Sequence, residues 1–105
     1  MKISIFYREI KLGELKKTEN NYVYKALPEN IEKAHKKGYS TFLYMCDNSF
    51  ISEELPFSLL DFIPDEKQVD LIIAADIKET DSDFEKLYKI AGLNAVKPDF
   101  HMEIE

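Results

Sequence analysis

The chain reads as an α+β fold in which an N-terminal antiparallel β-meander packs with a C-terminal cluster of three short helices. Three observations carry this expectation. Apolar residues alternate at period two from Ile3 to Ala26, the period lengthens to about 3.6 beyond Leu55, and turn signals at Pro64 and Thr80-Asp81-Ser82-Asp83 cut the second half into short segments. A chain of 105 residues suits one domain, spanning 1–105, that buries roughly 60–70% of its unfolded surface.

Each element has its own signal. Ile3, Ile5 and Tyr7 alternate with Ser4 and Phe6, and Ile10 and Leu12 resume after Arg8-Glu9, two polar residues that suit a hairpin turn. Glu19-Asn20-Asn21 is a second turn, after which Tyr22, Tyr24 and Ala26 form a third strand. Pro28, the Ile31/Ala34/His35 stripe and Gly38 describe a helix of about ten residues. The run from Tyr39 to Met45 predicts a fourth, buried strand, and Asn48 to Ser52 a polar loop. Leu55 to Ile63 predicts a short helix, stopped because a residue before proline is pushed out of helical geometry. Asp65 is expected to cap a helix over Lys67 to Ile77 with a Val69/Ile72/Ile73/Ile77 stripe. The last helix carries Phe84, Leu87, Tyr88 and Ala91 and ends on Gly92 as the residue past its C-cap. Phe100, Met102 and Ile104 alternate again, so the tail from Lys97 to Glu105 is expected to add an edge strand or to extend toward a partner.

Composition narrows the class. An apolar fraction of 45% and a charged fraction of 32% describe an ordinary globular chain. Cys46 is the one cysteine, which excludes an internal disulfide and fits a reducing cytoplasm. No stretch approaches the roughly 18 apolar residues of a membrane span, and no leader pattern precedes Asn20. The net charge of −6 is unevenly spread: residues 1–46 hold nine Lys or Arg against five acids, residues 47–105 five Lys against fifteen acids. An acidic half repels nucleic-acid phosphates and steers toward basic protein faces, unless it is simply a solvated helical surface.

Chemistry is sparse. His35 and His101 lie in unrelated contexts, no serine has the neighbours of a nucleophile elbow, and the three glycines form no phosphate-cradling loop. Cys46 beside Asp47 has its thiolate disfavoured and reads as a core filler. The pairs Glu53/Glu54 and Asp81/Asp83 suit a hard cation or acid–base work, but helix-start carboxylates explain both without either. The pair of helices from Lys67 and from Ser82 resembles a helix-turn-helix in outline, yet Asp83 and Glu85 occupy the turn that would meet DNA. No catalytic group, cofactor or metal is therefore expected. What stands out is Phe50 and Ile51, two large apolar residues in a polar loop beside Glu53 and Glu54, a pattern that anchors partners when it does not fold back onto the core.

Taken in order, Leu12-Gly13-Glu14-Leu15, Tyr22-Val23-Tyr24, Pro28-Glu29-Asn30, Leu59-Leu60-Asp61-Phe62-Ile63-Pro64-Asp65 and Phe84-Glu85-Lys86-Leu87 make a series. It resembles the N-terminal subdomain of HipA-type serine/threonine kinase toxins, over residues 3–96. The departure is at Phe42-Leu43-Tyr44-Met45-Cys46, where that family carries a Ser-rich strand ending in Leu-Pro-Leu. No ATP-binding lysine, catalytic aspartate loop or metal motif follows residue 96, which resembles the separate small subunit, HipS-like, of split HipBST-type bacterial toxin–antitoxin systems.

The resemblance implies a non-catalytic antitoxin-like subunit that docks in trans on a HipA-like kinase, restrains it, and joins a helix-turn-helix repressor. Phe50, Ile51, Glu53 and Glu54 are the expected contacts, with Asp61 and Asp65 behind them. An alternative from a different class is an acidic decoy that inhibits a basic nucleic-acid-binding protein. Neither reading needs direct contact with nucleic acid or a membrane.

Overall fold

A computed structural model of the chain describes residues 1–93 and 99–105. Five strands, β1 (Lys2–Tyr7), β2 (Ile10–Lys17), β3 (Tyr22–Ala26), β4 (Phe50–Ser52) and β5 (Phe100–Ile104), form one antiparallel sheet in the order β4-β3-β2-β1-β5. Four helices, α1 (Pro28–Lys36), α2 (Phe57–Leu60), α3 (Val69–Ala75) and α4 (Asp83–Gly92), complete the α+β architecture. The meander β1-β2-β3 follows the period-two pattern, and its first turn is made by Arg8-Glu9, with Arg8 at φ 50°. A bulge at Leu12 against β1 sets Leu12 and Gly13 both toward the core.

One sheet face is covered. Ile3, Ile5, Leu15, Tyr24, Phe100 and Met102 point inward and join Ile31 and Ala34 of α1, Leu59 of α2 and Phe84, Leu87 and Ile90 of α4 in a single core. Pro28 opens α1, because its missing N–H is an orphan there anyway, and Gly38 at φ 79° follows its end in the left-handed conformation. Ser82 caps α4 by accepting from the Glu85 N–H, and its hydroxyl donates to the Glu85 carboxylate. The tail strand is present as β5, antiparallel to β1, while Lys97, where that expectation began, lies outside the described residues.

Several boundaries differ from expectation. Tyr39 to Met45 is not a strand: Thr41–Tyr44 is a 3-10 turn, and Phe42 and Met45 are exposed. Side chains, not a ladder, satisfy its backbone. The Tyr24 hydroxyl donates to the Cys46 carbonyl at 2.7 Å and Ser58 Oγ to the Tyr44 carbonyl at 2.5 Å. The strand beside β3 is instead Phe50–Ser52, inside the segment expected to be a loop. The helix expected over Leu55–Ile63 is confined to Phe57–Leu60, since Pro56 excludes Leu55 and the Phe62 and Ile63 amides tighten onto Leu59 and Leu60.

The helix expected over Lys67–Ile77 shrinks to α3, ended by Asp76 in the left-handed conformation, so Ile77 leaves the stripe. Val69 and Ile73 are exposed and Ala75 is the buried residue. Asp65 does not cap α3; its carboxylate accepts from the Lys67 N–H, and Gln68 stands at the cap. Gly92 is the last residue of α4 and Leu93 its C-cap.

Candidate functional site

The groove of interest lies where β4 turns into α2. β4 is clamped at both ends by serines: Ser49 Oγ accepts from the Ala26 N–H at 2.9 Å, and Ser52 Oγ accepts from the Glu54 N–H at 3.1 Å, which turns the chain away from the sheet. The Phe50 ring stacks on Tyr24 with centroids 5.3 Å apart, so the aromatic side chain is held rigidly on the core side of the edge strand. Pro56 sets the entry into α2, leaving Phe57 in the first turn, directed away from the core.

Phe50, Leu55, Leu60, Phe57 and Met45 line a mostly apolar groove of about 390 Å³, with Glu54 at its edge. Phe57 is 79% exposed and Met45 58%, so these two form the solvent-facing walls. A second hollow of about 330 Å³ shares Glu54, Leu55 and Leu60 with the first and adds Glu53 and Asp83. Among the described residues, no lysine or arginine lines either hollow. The combined surface is apolar in the middle and acidic at one end.

The expected contact residues divide. Phe50 and Glu54 share the groove, and Glu53 lines the adjoining hollow. Ile51 is 72% exposed but points to the opposite face of the sheet, where it lies with Val23 and Lys25. Glu53 and Glu54 occupy the bend before α2 and not a helix start. Asp61 is exposed at the C-cap of α2 beside Leu60, while Asp65 is committed to the turn with Lys67. Phe57 and Met45 were missed. For Phe57 a signal existed, an aromatic directly after a helix-opening proline; Met45 is displayed by its left-handed backbone, φ 58°, which the sequence does not advertise.

Other polar groups are occupied structurally. His35 Nε2 lies 2.9 Å from both Thr41 Oγ1 and Asp47 Oδ2, fastening the 3-10 turn to α1. A relay of the nucleophile–His–acid kind uses both ring nitrogens, and here one nitrogen meets both partners. Burial, reinforced by Asp47, pushes the Cys46 thiol up to about 12, away from thiolate chemistry. Asp81 accepts from Lys89 Nζ at 2.6 Å and from the Lys78 N–H, so it closes the α3–α4 connection. Among the described residues there is no group of three or more His, Cys, Asp or Glu that could hold a metal ion, and no helix is long and apolar enough to cross a membrane.

No protein-family model matches the chain, and neither a curated protein nor a solved structure matches it.

Proposed function

We propose that this chain is a non-catalytic docking subunit, antitoxin-like, that binds a HipA-like kinase polypeptide in trans in the cytoplasm and restrains it. The observation that carries this reading is the apolar groove walled by Phe57 and Met45 and edged by Glu54 at the β4–α2 corner. A large aromatic held 79% exposed beside an apolar hollow costs solvation free energy in the isolated chain and supplies a hot spot on association. The resemblance of the ordered motifs to the HipA N-terminal subdomain supplies the partner class, with a helix-turn-helix repressor as a further member of the assembly.

The test is co-expression with the product of the neighbouring gene, followed by co-purification and a kinase assay with and without this chain. Retention of a kinase-fold polypeptide whose phosphorylation falls when the chain is added supports the reading. Absence of a kinase-fold partner overturns it.

A second reading, an acidic decoy for a basic nucleic-acid-binding protein, is favoured by the fifteen acids of residues 47–105. Ionic strength separates the two. A decoy loses most of its affinity between low and high salt, whereas a docked apolar groove retains it.

A further inference from the structure

Ladder alternation decides which backbone groups of β4 are free. The Leu27 N–H donates to the Leu12 carbonyl and the Thr18 N–H to the Asn21 carbonyl, so Val23 and Lys25 are the β3 residues whose backbone groups face β2. Tyr22, Tyr24 and Ala26 therefore face β4, and the Ala26 N–H does donate to Ser49 Oγ on that side. Since Tyr22 pairs with Ser52 and Tyr24 with Phe50, these two β4 residues turn their backbone groups toward β3. Ile51 turns its N–H and carbonyl toward the open edge of the sheet.

Both faces of that edge are hollow. On the core side lies the groove of Phe50, Leu55 and Phe57, and on the outer side a shallow depression of about 530 Å³ is lined by Val23, Lys25 and Ile51, with Tyr24, Ser49 and Phe50 along the strand edge. A strand laid beside Ile51 would send alternate side chains to the two faces. The residue opposite Ile51 would lie on Val23 and Ile51, and its two neighbours would point toward the groove.

We infer that β4 accepts an extended segment of the partner as a sixth strand, paired through the Ile51 N–H and carbonyl, with apolar residues flanked by lysine or arginine. This deepens the docking reading and rests on it for the identity of the partner. Charge on the core side selects the occupant: Glu54, Glu53 and Asp83 line it, with no lysine or arginine among the described lining residues, and Lys25 lies on the outer side alone. A second copy of this chain fits poorly, because its β4 is flanked by Asp47 and by Glu53-Glu54 and carries no adjacent lysine or arginine. Main-chain pairing supplies affinity in such additions, and the pockets for alternate side chains supply selectivity.

The probe is a capped peptide, Lys-Leu-Val-Leu-Lys, titrated into the full chain labelled with nitrogen-15, with Glu-Leu-Val-Leu-Glu as the control. The expected result is amide shifts over Phe50–Glu54, slowing of Ile51 amide exchange by about tenfold, and binding about tenfold tighter for the lysine peptide than for the glutamate one. Ile51→Pro removes the outward N–H along with the Ile51 side chain and should weaken peptide binding about tenfold, while Ile51→Val, which keeps the N–H and most of the side chain, should change it little. Unperturbed β4 amides on the unaltered chain, equal affinity for the two peptides, or a β4-mediated dimer would each overturn the inference, and none of these readings depends on a variant that folds. Full binding of the kinase-fold partner by Ile51→Pro would overturn strand addition and leave the docking reading standing. A missing kinase partner would overturn the docking reading and leave the peptide titration to decide this one.

Discussion

The Tyr24 side chain covers Gly13. A Cβ built on Gly13 would collide with the Tyr24 hydroxyl and ring and lie 2.5 Å from the Lys25 carbonyl oxygen. Gly13 pairs with Ala26 and Tyr24 with Leu15, so the two are diagonal neighbours across β2 and β3 on the core side, and the Tyr24 hydroxyl continues past Gly13 to donate to the Cys46 carbonyl. Two motifs singled out in the sequence, Leu12-Gly13-Glu14-Leu15 and Tyr22-Val23-Tyr24, are thus halves of one contact. Through Cys46 that contact positions the segment that displays Met45.

Gly13→Ala should destabilise the fold by about 3 kcal/mol, because one colliding atom is backbone and cannot rotate aside. Chemical denaturation measures it. A loss under about 0.5 kcal/mol would mean that β2 and β3 part easily, and the packing described would be wrong.

Tyr24→Phe should cost about 1–2 kcal/mol, since it leaves the buried Cys46 carbonyl without its donor. Burial also pushes the Tyr24 phenol far above its ordinary range, so it remains a donor at any physiological pH. The same variant should loosen the Met45 region, read as faster amide exchange from Thr41 to Asp47. Unchanged exchange there would separate the hydroxyl from the groove.

Acid should weaken the fold in a defined window. Lys37 Nζ donates to Glu9 at 2.7 Å and holds that carboxyl at about 2, below its ordinary 4.5. Asp81, through Lys89, and Glu105, through Lys11, are lowered in the same direction. A carboxylate whose folded-state pKa is depressed adds stability above its unfolded value and loses it as pH falls toward the folded one. Thermal midpoints should therefore hold above pH 4.5 and fall between pH 4.5 and about 2, and Glu9→Gln should flatten part of that fall. A Glu9→Gln curve parallel to that of the unaltered chain would show that the pair does not form in solution.

Much of the fold was legible because local and global signals agree. The period-two runs of Ile3–Tyr7 and Tyr22–Ala26, the Arg8-Glu9 turn, Pro28 and Ser82 each act through their own backbone chemistry, and each lies where its pattern put it. The region from Tyr39 to Ser52 was misread because tertiary contacts overrule propensity there. An aromatic run of strand composition is held as a 3-10 turn by Tyr24, Ser58 and His35, while a strand of three residues is too short to show a period. The candidate site inherits that error. Phe50 and Glu54 were found for their unusual neighbours, but Met45 was assigned to a buried strand and Phe57 fell unremarked within the helix expected over Leu55–Ile63.

Phe57→Ser should leave stability within about 0.5 kcal/mol, because the ring is solvent-exposed. It should weaken partner binding by about 2 kcal/mol, roughly thirtyfold, if the ring fills a pocket on the kinase. Titration calorimetry against the co-purified partner distinguishes this from a general loss of structure.

The most direct measurement is phosphorylation by the kinase-fold product of the neighbouring gene, assayed alone, with this chain, and with its Phe57→Ser form, at low and high salt. Inhibition by the unaltered chain that persists in high salt and is lost with Phe57→Ser is the expected result. Kinase activity unaffected by the unaltered chain, or equal inhibition by both forms, would contradict docking through the β4–α2 groove.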